Sequence, residues 1–180
     1  SDSDVHYPYK CLQWIEQYEL TKNDLLASNA LWSESKQRLI FPVYDGEGNL
    51  IAWQGRWFGE GNDVKWYGKG SLKDTFNILG RSSDTLVLTE DIISALKVGK
   101  FVHAMPLYGS HISYDRWRRL LAIIGKCKVL IWLDKDKQSE AVKFARQGRA
   151  LGFDVRTIIT ELDPKKVSMF DIKNILINSS

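Results

Sequence analysis

The stretch Val129-Leu-Ile-Trp-Leu-Asp-Lys-Asp136 decides how this chain is read. Five apolar residues run straight into two acids spaced two apart. The run is too short for a lone helix, and its Val and Ile suit a buried strand. In an extended chain Asp134 and Asp136 share one face. Open parallel sheets gather their chemistry at the carboxyl ends of strands. Two carboxylates at such an end are hard oxygen ligands, suited to Mg²⁺ or Mn²⁺. From these residues alone two readings stay open. One is an acidic metal site; the other is a solvated strand-to-helix loop in which Asp136 caps the next helix.

Strands and helices alternate around this stretch. Thr85-Leu-Val-Leu-Thr-Glu90 predicts a strand ending in an acid, followed by a helix over residues 92–98 that Gly99 closes. His103-Ala-Met-Pro-Leu-Tyr-Gly109 predicts a second strand, and residues 113–124 a basic helix. Residues 128–133 form the third strand, 139–151 a helix stopped by Gly152, 154–160 a fourth strand and 167–177 a last helix. Such alternation implies right-handed crossovers and a mainly parallel sheet. If the first and third strands are neighbours, Glu90 joins Asp134 and Asp136. Clustered carboxylates repel one another unless a cation neutralises them.

Upstream the pattern differs. Residues 10–18 read as a short amphipathic helix, and Thr21 opens a second helix through Asn29. Arg38-Leu-Ile-Phe-Pro-Val-Tyr44 is strand-like, with Pro42 calling for an edge or a bulge. The turn Asp45-Gly-Glu-Gly-Asn49 leads into a returning strand over 50–58, and a further strand is expected over 64–67. The expected organisation is an α+β subdomain over residues 1–82, with antiparallel strands, and an α/β domain over 83–180 with a mainly parallel sheet flanked by helices.

Composition bounds the rest. The 180 residues carry a net charge of +3, unevenly spread. Residues 1–80 hold 8 Lys and Arg against 11 Asp and Glu, whereas residues 81–180 hold 17 against 11. From Arg116 to Lys128 there are five basic residues and no acid, which suits a polyanion or a solvated helix face. No apolar run approaches the ~20 residues that span a membrane, and no P-loop or Gly-rich dinucleotide fingerprint is present. Cys11 and Cys127 lack metal-ligand spacing and read as reduced thiols of an intracellular protein. Ser1-Asp-Ser-Asp4 reads as a tag remnant or a free terminus. Trp53, Trp57, Trp66 and Tyr67 interleave with Arg56, Lys65 and Lys69, a pattern that serves either base stacking or a strand core. His103 reads as core or loop, and His111 follows the Gly109 turn towards the acids.

A glutamate ending one strand and an Asp-x-Asp ending a later one resembles the Toprim domain of bacterial-type primases, topoisomerases and some nucleases. Phe41-Pro-Val-Tyr-Asp-Gly-Glu-Gly-Asn-Leu-Ile-Ala-Trp-Gln-Gly-Arg56 resembles the segment before Toprim in bacterial and phage primases. Residues 14–26, with Trp-Ile-Glu-Gln-Tyr-Glu-Leu-Thr, are similar to the segment after the zinc module of phage primase-helicases. The resemblance spans about residues 10–177. It implies a primase core that makes short RNA primers on a single-stranded DNA template from ribonucleoside triphosphates. It also implies Mg²⁺ or Mn²⁺ and a phage or plasmid replication system, hence the cytoplasm of a bacterial host.

By the same resemblance Glu90 is a metal ligand or general acid/base, and Asp134 and Asp136 are the metal-binding pair. Gly109 falls at a turn near the site. The resemblance places Arg56, Lys65 and Lys69 where primases bind template or nucleotide phosphates; Arg116, Arg118 and Arg119, from the basic run on their helix, are expected along a nucleic-acid backbone, and Lys137 is counted among the nucleic-acid or nucleotide contacts. The sequence departs from the family at Asp91, where a Gly is usual, at Ser94, where an Asp is usual, and at Gln138-Ser139, where Ala-Gly is usual. Asp91 either replaces a lost ligand or begins a helix favourably. Asp163-Pro-Lys165 is either an added acid behind the site or a plain turn. Zinc-module ligands and a helicase P-loop are not in the sequence, so such modules are expected on another chain or outside this piece. The alternatives are a Toprim nuclease and a non-catalytic module that binds nucleic acid or a replication partner.

Overall fold

The computed structural model describes residues 5–179; Ser1 to Asp4, read above as a terminus, lie outside them. The chain forms two compact units, one ending at Asn77 and one starting at Ile78.

In the first unit, helix α1 (Tyr9–Glu16) buries Cys11 and Ile15, four residues apart on one face. Helix α2 (Lys22–Ala27) starts where the sequence signals it. The Thr21 amide donates to Asp24 Oδ2 at 2.7 Å, one half of a capping box. Four antiparallel strands follow in sequence order, β1 (Leu31–Ser33), β2 (Arg38–Tyr44), β3 (Leu50–Trp57) and β4 (Trp66–Lys69). With three residues, β1 is too short to carry a readable alternation, and the sequence did not predict it. Strand β4 begins two residues later than residues 64–67 suggested. Strand β2 is internal to the sheet, so Pro42 does not mark an edge strand; it lies past the end of the β1 pairing and beside a bulge. Strand β1 reaches only as far as Ile40, leaving that edge of β2 open beyond it, and the β2–β3 register slips between Val43 and Tyr44.

The second unit contains β5 (Leu79–Gly80), β6 (Thr85–Thr89), α3 (Ile92–Val98), β7 (His103–Pro106), α4 (Tyr114–Ile124), β8 (Lys128–Ile131), α5 (Gln138–Ala150), β9 (Asp154–Thr157) and α6 (Met169–Asn178). The sheet order is β5-β7-β6-β8-β9. All pairs are parallel except β5 with β7. Strand β5 precedes the change of pattern seen after Arg81, and two residues carry no period to read. Gly80 is required there: its φ is +92°, and a Cβ would stand 2.4 Å from the Gly99 Cα.

Alternation divides the strands between two covered faces. Val87, Leu130 and Trp132 pack with Ala95 and Val98 of α3 and with Ile172 and Leu176 of α6. On the other face Val155 pairs with Val129 beneath α5, where a Cβ on Gly148 would meet Val155 at 2.8 Å and Trp117 of α4 at 2.9 Å. Strands β6 and β8 are direct neighbours, with Leu88 opposite Ile131, so their carboxyl ends lie side by side. Among the described residues no helix is long and apolar enough to cross a membrane. Cys11 and Cys127 are both free.

Candidate functional site

Glu90 directly follows β6, and Asp134 stands three residues beyond the last residue of β8. Glu90 Oε1 accepts from the Asp134 amide at 3.2 Å. Asp163, after β9, accepts through Oδ1 from the Lys135 amide at 2.9 Å. Two carboxylates from two other loops therefore hold successive amides of the Asp-Lys-Asp loop. The loop makes one 3₁₀ turn (Lys135–Lys137) before α5 begins. Asp136 is exposed, and α5 has Lys137 at its N-cap with no side-chain cap bond, so Asp136 does not cap that helix.

The acids act on one another. Burial, opposed by the Asp134 amide and reinforced by Asp136, Asp91 and Asp163, raises the Glu90 carboxyl above its ordinary range. Burial and then the charges of Glu90, Asp91 and Asp163 push Asp134 up to about 7, with Lys165 pulling the other way. Asp134 Oδ1 is buried with no hydrogen-bond partner. Such an atom costs on the order of 1–3 kcal/mol or more when left unsatisfied. The donor chemistry thus fits a hard divalent cation, which would offset the mutual repulsion and occupy the orphaned oxygen. Among the described residues, no three acid, His or Cys side chains already converge at metal-holding distances.

The flanking residues have defined tasks. Asp91 is the N-cap of α3, accepting from the Ser94 amide at 2.8 Å and the Ser94 hydroxyl at 2.9 Å. The helix-starting alternative is the one visible here, and Ser94 is its partner. The Gly109 amide donates to the Glu90 carbonyl at 3.2 Å, which brings the β7–α4 loop beside the acids. His111 packs edge-on against Phe144 at 5.2 Å. His103 sits at the amino end of β7, opposite to the acids, and lines a cavity of about 370 Å³ with Cys127 and Lys126. Trp132 is fully buried, with its indole N–H on Thr160 Oγ1 at 2.9 Å.

The basic residues named from the sequence separate. Arg118 and Arg119 are exposed on α4. Arg116, expected with them at a nucleic-acid backbone, is 4% exposed and donates to the Leu107 carbonyl at 3.0 Å. That is a correction: on a helix, neighbours at i and i+2 point to different faces, and position 116 points inward. Lys137 lies 3.8 Å from Glu140, one helical turn on.

In the first unit strand alternation splits the set again. Trp53, Tyr67 and Lys69 share one face of the β3–β4 pair, with Trp53 opposite Lys69. They line a groove of about 510 Å³ with Ser35, Lys36, Arg38 and Asp63. The Trp53 and Tyr67 rings lie 5.7 Å apart. Arg56 and Trp66 face the other way. The Arg56 guanidinium lies over Trp14 at 5.4 Å and Phe58 at 5.1 Å, and Trp66 joins Trp14 and Phe41 in an aromatic cluster. Arg56 is therefore turned away from the groove that Lys69 lines, and Lys65 is exposed.

The sequence reading missed Arg38 and Lys36 in this groove. Arg38 is 5% exposed, donates to the carbonyls of Gly55, Val64 and Lys65, and pairs with Asp63 at 3.3 Å. A lone arginine opening an apolar strand was the available signal.

No protein-family model matches the chain, and no curated protein matches it in sequence. Solved structures do match it. The zinc-binding and RNA polymerase domains of the Aquifex aeolicus primase superpose with a TM-score of 0.68 at 15% identity, over 96% of this chain and 56% of that one. A DnaG primase catalytic domain bound to single-stranded DNA gives 0.72 at 12% identity, over 98% of this chain and 74% of that one. The primase fragment of the bacteriophage T7 primase-helicase gives 0.68 at 14% identity, over 91% and 71%. The chain has the fold of primase catalytic cores, as the sequence resemblance implied, and spans just over half the length of the Aquifex chain.

Proposed function

We propose that this chain is a primase catalytic core that joins ribonucleotides on a single-stranded DNA template. The observation that carries the reading is the meeting of Glu90 and Asp134 at neighbouring strand ends, in a chain with the fold of primase cores. Asp134 and Asp136, with Glu90, are the residues that would hold Mg²⁺ or Mn²⁺ there. The bound ion would supply charge stabilisation for phosphoryl oxygens during an in-line transfer.

The protein's own groups do the rest. Glu90 fixes the Asp134 backbone through its amide, and Asp163 fixes that of Lys135. Asp91 assists by capping α3 and by adding its negative charge to the cluster, and its carboxylate oxygens keep lone pairs for a metal. Lys165 brings a positive charge to Asp134, at the edge of a site whose substrate is a polyphosphate. In the other unit the groove offers the Trp53 and Tyr67 rings for base stacking and Lys36 and Lys69 for phosphates. Arg118, Arg119, Lys65 and Lys137 are the remaining exposed or half-exposed cations in this reading. A phage or plasmid replication system, acting in a bacterial cytoplasm with a zinc module and helicase supplied elsewhere, completes the proposal.

The test is incubation of the chain with mixed-sequence single-stranded DNA, labelled ribonucleotides and Mg²⁺ or Mn²⁺. Oligoribonucleotides made by the chain and not by Asp136→Asn support the proposal. Shortened template would turn the reading to a nuclease. Metal-dependent DNA binding without either product would favour a non-catalytic module, for which the Asp91–Ser94 pair, committed to capping α3, speaks.

A further inference from the structure

Helix α3 is buried along its whole length, and it carries a lysine. Lys97 is 2% exposed. Burying an ammonium group is costly unless it is well hydrogen-bonded. Its Nζ donates to the Lys165 carbonyl at 2.9 Å and to the Val167 carbonyl. Both carbonyls belong to one short segment, the 3₁₀ turn Pro164–Lys166 and the residue that ends it. The residue that starts this turn is Asp163, whose carboxylate holds the Lys135 amide. Lys135 lies between Asp134 and Asp136. The same turn carries Lys165, whose charge acts on Asp134.

Fold stability is a poor reason for this lysine. The rest of α3 is Ile92, Ile93, Ser94, Ala95, Leu96 and Val98, all buried, and an ammonium among them carries a desolvation cost that its two carbonyl bonds must first offset. What an apolar residue cannot do is grip two carbonyls of a turn 68 and 70 residues away.

We infer that Lys97 is a positioning residue: it locks the 163–167 turn so that Asp163 holds the Asp134-Lys135-Asp136 backbone in one conformation. The inference deepens the reading of these acids as a metal site, and one arm of its test is independent of that reading. In the full chain, Lys97→Met keeps the side-chain length and removes the charge. Amide hydrogen exchange should then speed up about tenfold or more at Lys135 and stay unchanged at Leu130 in the middle of β8. Asp163→Ala should do the same, and the double variant should go no further than Asp163→Ala alone, because the two act in series. Mn²⁺ affinity, read by electron paramagnetic resonance without substrate, should fall about 10–100-fold in Lys97→Met.

Unchanged exchange at Lys135 would overturn the inference. So would an additive double variant, or protection lost evenly at Leu130 and Lys135, which reports a purely structural lysine. Lys97→Gln, which keeps a donor on a shorter arm, is the second variant and is judged by the same amides. If the unmutated chain binds no Mn²⁺, the metal reading fails, and the Lys135 amide still decides the role of Lys97.

Discussion

Two regions, the wall of the groove in the first unit and the strand-end acids in the second, bury charge in opposite ways. In the first, Arg38 is almost wholly enclosed, and its guanidinium meets three carbonyls and Asp63. In the second, Asp134 is half-buried among other carboxylates, with one oxygen that meets no donor. A saturated buried charge is a structural element. A crowded, unsatisfied one stores a cost that a ligand can relieve, and such groups gather at functional sites. In the proposed reading the carboxyl ends of β6 and β8 carry the chemistry, and the wall behind the groove is scaffolding.

The largest expected effect falls on the acids. Asp136→Asn should lower Mn²⁺-dependent primer synthesis by about 100-fold or more, equivalent to about 3 kcal/mol of transition-state stabilisation. Because Asp136 is exposed, thermal unfolding should be unaffected. Retained activity would leave the acid cluster as a charged surface feature and erase the contrast.

Arg38→Ala should do the reverse. It strips donors from the carbonyls of Gly55, Val64 and Lys65 and should cost about 2–4 kcal/mol in urea unfolding. A loss under about 1 kcal/mol, with weakened DNA binding, would move Arg38 from scaffold to ligand binding. Tyr67→Ala, in the groove itself, should weaken binding of a single-stranded oligonucleotide by about tenfold with little change in stability, since Tyr67 is 49% exposed. Arg118→Ala with Arg119→Ala should flatten the salt dependence of that binding by about 1.4 in log–log slope, at ~0.7 for each phosphate that an arginine neutralises on a single strand. An unaltered slope would return the outer face of α4 to solvent.

The last prediction concerns pH. Asp134 titrates at about 7 in the folded chain against an ordinary 3.8, so over that window the folded state binds more protons than the unfolded one. Stability of the metal-free chain should therefore fall as pH rises from about 4 to about 7, with the raised Glu90 acting in the same direction. Asp134→Asn should flatten this fall, and saturating Mg²⁺ should restore stability at the alkaline end in the unmutated chain only. Thermal melts across that range would measure both, and a stability that rises with pH would contradict the raised Asp134.

Much of the second unit was legible because its signals are local. The apolar runs before Glu90 and Asp134, and the capping residues Ser113 and Ser168, mark element ends within a few residues. Strands β1 and β5 escaped because two or three residues carry no period. Arg56 and Arg116 part from the other basic residues for a different reason. Counting Arg56 with Lys69, or Arg116 with Arg118 and Arg119, takes charge from composition and ignores which face each position occupies.

By itself the sequence determined the order of the longer elements, the acids at the strand ends and the likeness to primase cores, because periodicity, turns and motif order lie along the chain. Only the tertiary structure decided that β6 and β8 adjoin and that Arg38 and Arg116 are enclosed. It alone decided that Arg56 and Lys69 part company, and that Lys97 reaches the turn whose Asp163 accepts from the Lys135 amide. The reason is physical. Burial and hydrogen-bond partners are set by packing across tens of residues, and a charged side chain looks the same in a sequence whether it meets water, a carbonyl or another charge.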